Sequence, residues 1–242
     1  MSKVYADKIE PRDSSMDVTI GTSTNTVTLA GNDLRANTVK DSGGNTLWVS
    51  DGAGNISSVN SALAGNLKLL TTQTASSSSS LSFTTLIDST YDVYIFKFYD
   101  VNPATDDVNF SFNGSIDGGS NYNVTKTTSH FSAYHSEADS YAAMSYATSM
   151  DLAQSTAYQH ITGGIADDAD ASVVGELFLF NPSNTTYVKH FYYTANGYKN
   201  DSASANTFTG GYFNTTSAID AIDFKFASGN MAAGQIKMYG LL

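Results

Sequence analysis

Asp41-Ser-Gly-Gly-Asn-Thr-Leu-Trp-Val49 is followed, after Ser50, by Asp51-Gly-Ala-Gly-Asn-Ile-Ser-Ser-Val59, so Asp, Gly, Asn and Val return at an offset of ten residues. The apolar mark continues backwards through Val39 to Leu29. Turn formers between single aliphatics on a fixed period describe short strands, each too narrow to bury a core of its own. Such strands become stable by stacking on copies of themselves, commonly about a symmetry axis. This stretch therefore predicts an elongated, oligomeric β-stalk.

Outward from the repeat, the text changes on both sides. Residues 1–20 are mixed and polar, with Pro11 and few periodic apolar positions, as expected of a tip that docks on another protein. Residues 21–66 carry short β-prone runs, Thr26–Leu29, Thr38–Lys40 and Thr46–Val49, between Gly, Ser, Asn and Asp. A serine run, Ser76–Ser80, reads as a flexible linker or an exposed loop.

Beyond it the chain becomes aromatic. Val93–Tyr99 is apolar on both faces, as a central strand of a two-layer structure would be. Val108, Phe110 and Phe112 alternate with polar residues and are expected to point inward. Val173–Phe180 stops at the turn signal Asn181-Pro182, and Tyr187–Tyr193 forms a further aromatic strand. Ile222–Phe226 and Gln235–Tyr239 alternate on either side of a hairpin-like turn at Ser228–Asn230. Many short strands, no capped amphipathic helix and only three prolines predict an all-β chain. The expectation for residues 67–242 is an antiparallel β-sandwich of jelly-roll type. Ala138–Thr156 is the one stretch where a helix competes with an irregular strand and loop.

Charge narrows the function. With 12 basic and 23 acidic residues the formal net charge is −11, which argues against a nucleic-acid partner, since phosphate binding needs a concentrated basic face. Glu occurs only at positions 10, 137 and 176, so the acidity is almost all Asp, a turn former. Cysteine is absent, which removes disulfides, thiolate chemistry and Cys-ligated zinc. Met1–Ile9 lacks the apolar core of a signal peptide and no later run approaches a membrane span, so neither export nor membrane insertion is expected.

Catalytic motifs are wanting. His130, His135, His160 and His190 have no metal-ligand spacing, and His130 and His135 would face opposite sides of one strand. They read as satisfied or surface histidines. Asp167-Asp168-Ala-Asp170 could offer oxygen ligands to calcium but lacks the glycine and glutamate of a calcium loop, so a solvated turn is preferred. Asp106 and Asp107 are adjacent and cannot form the facing carboxylate pair of a glycosidase. Gly118-Gly119 and Gly163-Gly164 read as turns. No enzyme activity and no cofactor are expected. The segment holding Tyr122, Phe131, Tyr134, His135, Tyr141 and Tyr146 among Ser, Thr, Asn and Asp is the candidate recognition surface. Such rings stack on sugars or anchor protein contacts, or else fill the core or a subunit interface.

Two stretches carry a family resemblance. The shaft-like text Asp41–Ile56, and the later segments Ile87–Asp92, Gly119–Lys126, Ala218–Ile222 and Gly234–Leu241, resemble bacteriophage fibre and spike proteins of a type frequent in marine and cyanobacterial phages. The resemblance implies a homotrimer made in the host cytoplasm and carried on the virion, held by its N-terminus with the C-terminal domain outward. Trimerisation would bury Leu29, Val39, Trp48, Val49 and Val59 along the axis. The implied function is a tail fibre or spike that adheres to a host-surface glycan or protein. A capsid-attached head fibre or decoration protein is the alternative, and a polysaccharide depolymerase the third reading.

Overall fold

Asp recurs three times as the anchor of the same five-residue turn, and that turn shapes both halves of the chain. A computed structural model describes residues 37–59 and 66–242. Residues 1–20, the run Thr26–Leu29 and the axial candidate Leu29 lie outside the described residues. The chain divides into two units, Met1–Leu63 and Ala64–Leu242.

In the first unit, β1 (Thr38–Lys40), β2 (Thr46–Ser50) and β3 (Ile56–Val59) form an antiparallel meander. The ten-residue echo is this unit of turn plus strand. The Asp41 carboxylate accepts hydrogen bonds from the Asn45 backbone N–H at 2.8 Å and from Asn45 Nδ2 at 3.0 Å. Asp51 accepts the equivalent pair from Asn55 at 3.1 and 2.9 Å. Asp117 repeats the device with Asn121 at 2.9 and 2.7 Å, far from the repeat. In all three the Asn side-chain amide is the main cause that holds the carboxyl below its ordinary value. Register pairs Val39 with Trp48 and Trp48 with Val59, so these three share one face. Val49 pairs with Thr38 and Ser58 and points to the other face. The expectation that Trp48 and Val49 line one axis is thereby corrected: successive residues of a strand point to opposite faces.

The second unit holds β4 (Leu67–Thr74), β5 (Leu81–Phe83), β6 (Val93–Pro103), β7 (Val108–Ser115), β8 (Lys126–Ser136), β9 (Ala142–Tyr146), β10 (Gln159–Ile165), β11 (Val173–Phe180), β12 (Lys189–Lys199), β13 (Ala203–Phe213), β14 (Ala221–Phe226) and β15 (Met231–Leu241). There is no helix among the described residues. Ala138–Thr156 is accordingly a strand, β9, and a loop. All pairings between these strands are antiparallel. One run of strands reads β4-β15-β6-β11-β12-β13-β8-β9 and a second reads β10-β7-β14-β5; a single pair, Ile165 with Lys199, joins them into a nearly closed sheet of twelve strands.

The two runs lie face to face over an aromatic core. Phe83 on β5 meets Phe96 on β6 with ring centroids 5.3 Å apart, Phe98 on β6 meets Phe110 on β7 at 5.3 Å, and Phe112 on β7 meets Phe191 on β12 at 5.2 Å. Phe224 on β14 touches five of these rings at once. Edge-to-face pairs of this kind contribute about 0.5–1.5 kcal/mol each beyond their burial. Val108, Phe110 and Phe112 are buried as the alternation predicted.

One local expectation changes and one open alternative is decided. Ser228–Asn230 does not close a hairpin, because β14 pairs with β7 and β5 while β15 pairs with β4 and β6. The turn instead carries the chain from one run to the other. The serine run is an arch pinned by paired backbone bonds between Ser78 and Met231 at 2.9 and 2.7 Å. It is the exposed loop of the two alternatives.

Candidate binding site

The fold divides the aromatic segment. On β8 the side chains alternate, so Phe131 and His135 point outward while Thr128, His130, Ser132 and Tyr134 point inward. Tyr146 on β9 lies opposite Phe131 in register, and Phe131 stacks on Phe208 of β13 with centroids 5.0 Å apart and ring planes at 14°. Phe131 is 43% and Tyr146 53% exposed, which places both on the surface of the first run. Tyr141 sits in the turn before β9, its ring 5.8 Å from Tyr134 and its hydroxyl bonded to Asp201 at 2.5 Å. That carboxylate pushes the Tyr141 phenol up to about 12. His135 pairs with Asp139 at 2.9 Å on the exposed hairpin. Tyr122 stands apart from the other five, packed against Gly119 in the loop between β7 and β8.

A cavity of about 150 Å³ opens beneath Tyr134. Its walls are His130, Ser132 and Tyr134 from β8, Thr207 from β13, Thr162 from β10 and the Lys199 stem from β12. The shape of β10 creates it. Register breaks on both sides of Thr162, between His160 and Thr162 and again between Thr162 and Ile165. Gly164 holds φ +68, a conformation that favours glycine. Gly163-Gly164 is therefore a bulge within a strand, which corrects its reading as a turn. Bulges re-aim side chains, and this one turns Thr162 into the cavity.

The inner wall is polar and incompletely bonded. His130 and Thr162 are fully buried, and among the described residues neither His130 Nε2 nor Thr162 Oγ1 has a hydrogen-bond partner. His130 Nδ1 lies 2.7 Å from Thr209 Oγ1. Burial pushes the His130 imidazole down to about 4; His160 adds to this and Asp151 opposes it. Behind this wall, Gln159 Nε2 donates to Met150 O at 2.8 Å and to the Tyr193 hydroxyl at 3.1 Å. The Tyr193 hydroxyl in turn donates to the His160 carbonyl. On the same face of β8, Lys126 is fully buried; its Nζ donates to Asn113 Oδ1 at 2.7 Å and Val124 O at 2.9 Å, and burial pushes it down to about 7.

Sequence reading passed over Thr162, and it read His130 as a satisfied or surface histidine, whereas the ring is buried with Nε2 unpartnered. The available signal was the run Thr128-x-His130-x-Ser132-x-Tyr134, a strand whose inward phase is polar. The acidic cluster at Asp167–Asp170 is exposed, with its turn closed by Ala171 N–H donating to Asp168 O at 3.0 Å. No group of three or more His, Asp or Glu among the described residues is placed to hold a metal. No helix of the described residues is long and apolar enough to cross a membrane. Comparison with protein-family models, with curated proteins and with solved structures gives no match.

Proposed function

We propose that this chain is a trimeric bacteriophage virion fibre protein whose larger unit is a distal head that adheres to the host surface, with residues 1–20 docked on the virion. The observation that carries the reading is the strand order. In β4-β15-β6-β11 facing β5-β14-β7-β10, strands successive along the chain pass from one layer to the other, with β8-β9 and β12-β13 added as extensions of one layer. That interleaving supports a jelly roll, an architecture that viral shells and lectins share. Fold alone does not assign function, so the reading also leans on the shaft-like repeat.

Trimer formation is supported by the outward face of the first run. There Phe131 stacks on Phe208, and Tyr192, 47% exposed, stacks on Phe178 with centroids 4.8 Å apart. Monomeric proteins rarely leave such contiguous apolar surface bare. We assign it, with Trp48, Val39 and Val59 of the repeat unit, to contacts between copies of the chain. Phe131 and Tyr146 then belong to the subunit contact, and Tyr134 and Tyr141 remain for the host.

Light scattering on the purified full chain should give three copies; a monomer at micromolar concentration would end the trimer reading. Immunogold labelling of virions should place the larger unit at the tail. Gold over the capsid would replace adhesion by the decoration role.

A further inference from the structure

We propose that β9 is a docking edge for β4 of a second copy of this chain, so that neighbouring subunits join edge to edge and continue one antiparallel sheet. This contact rests on the trimer reading and supplies the strands that make it.

The two strands end the same run, and among the described residues neither has a partner on its far side. Hydrogen bonds at the ends of each strand fix which backbone groups are open. Beside β9, Ser136 N–H donates to Tyr141 O and Ala147 N–H donates to His130 O, both at 3.0 Å. Bonding alternates along an antiparallel pair, so Ala142, Met144 and Tyr146 turn their N–H and C=O groups away from β8. Beside β4, Ala75 N–H donates to Gly234 O at 2.9 Å and Leu242 N–H donates to Asn66 O at 3.3 Å. The same alternation, with the register break between Met238 and Tyr239, leaves Leu67, Leu69, Thr72 and Thr74 open. Proteins that stay single guard such edges with charges or proline. β9, Ala-Ala-Met-Ser-Tyr, has neither. The one charge on β4, Lys68, lies out of phase with the open positions.

Direction and face select this occupant. The run from β4 to β9 holds an even number of strands, each antiparallel to the next, so β4 and β9 run in opposite directions. Rotation about an axis along the strands preserves those directions. β9 of one copy therefore meets β4 of the next antiparallel, as every other pair in the sheet does. The open residues of both edges also put their side chains on the outward face: Tyr146 lies opposite Phe131, Leu69 opposite Tyr239 and Leu67 opposite Leu241. Met144 is 75% and Leu69 50% exposed. Setting Leu69 against Met144 and Leu67 against Tyr146 matches apolar with apolar and closes about four backbone hydrogen bonds per junction. Unlike edges joined head to tail close into a ring, and a ring of copies leaves this run no free edge.

The sequence has no cysteine, so an engineered pair reads the contact directly. Residues in a hydrogen-bonded antiparallel pair stand about 5.5 Å apart at Cα, within the roughly 4.4–6.8 Å that a disulfide spans. Oxidised full-length L69C/M144C should run as a covalent trimer on a non-reducing gel, while L69C and M144C alone stay uncross-linked. M144P removes an N–H that no strand of the same chain uses. It should raise the concentration needed for assembly at least tenfold in light scattering and keep the β-sheet circular-dichroism spectrum. A wild-type trimer whose L69C/M144C form does not cross-link would overturn the edge pairing and spare the trimer. A covalent dimer of either single variant would overturn it in favour of a two-fold contact between like edges. Covalent species beyond three copies would keep the pairing and end the trimer, and monomers that do not cross-link would end both.

Discussion

Acidification gives a direct measure of how His130 is held. An imidazole ordinarily titrates near 6.5, whereas the buried ring titrates at about 4 in the fold. Between those values the unfolded chain carries a proton that the folded chain refuses. The stability contribution is therefore fully present above pH 6.5 and is lost progressively as the pH falls toward 4. The gap of 2.5 pH units, at about 1.4 kcal/mol each, makes about 3 kcal/mol. That is a large share of the roughly 5–15 kcal/mol by which domains are stable.

His160 is also lowered by burial and adds a loss of the same sign in the same direction of pH. The lowered carboxyls, Asp41, Asp51 and Asp117 among them, titrate below their ordinary 3.8 and so below this window. Urea unfolding of the full-length wild type, H130Q and H160Q above pH 6.5 and near pH 4 separates the contributions, because slopes are compared rather than absolute stabilities. H130Q should remove about 3 kcal/mol of the wild-type pH dependence. A wild-type slope that persists in H130Q, or a His130 resonance titrating near 6.5, would refute the buried, neutral imidazole.

Lys126 sets the opposite window: with its folded value at about 7 against an ordinary 10.5, stability should rise as the pH climbs between them, by at most about 5 kcal/mol. K126M should flatten that rise in urea unfolding. F224A, which empties the centre of the aromatic cluster, should cost about 3–5 kcal/mol, read from the same curves at neutral pH. In the repeat unit, W48D should break the proposed trimer while V49D, on the other face, should leave it intact, as judged by light scattering; the reverse pattern would put the contact on the Val49 face.

Legibility followed the chemistry of the inward phase. β7, β14 and β15 could be read because Phe110, Phe224 and Ile236 alternate with polar neighbours, and β6 and β11 because Val93–Tyr99 and Leu177–Phe180 are apolar runs. β13 was invisible for the opposite reason: its inward residues are Ala203, Ala205, Thr207 and Thr209, small or polar, and no apolar period survives. β8 and β10 failed likewise through His130, Ser132, Thr162 and Gly163. Topology was harder still. Ser228–Asn230 announces a turn, but a turn motif says only that the chain reverses, not which layer the next strand joins. The Asp–Asn turn at Asp117 shows a subtler gap, since its chemistry repeats that of Asp41 and Asp51 outside the period that drew attention to them.

The same division decides where buried polar atoms go without partners. Around Phe224 the layers meet through rings and leave nothing unpaired; around His130 the same two layers meet through hydroxyls and an imidazole. A buried polar atom without a partner costs about 1–3 kcal/mol, and the cavity wall holds two of them, His130 Nε2 and Thr162 Oγ1. Valine at position 162 would fill the same space and remove one of those costs. That one substitution should shift urea unfolding upward by about 1 kcal/mol. A T162V protein less stable than wild type would mean that the hydroxyl already has a partner within the fold.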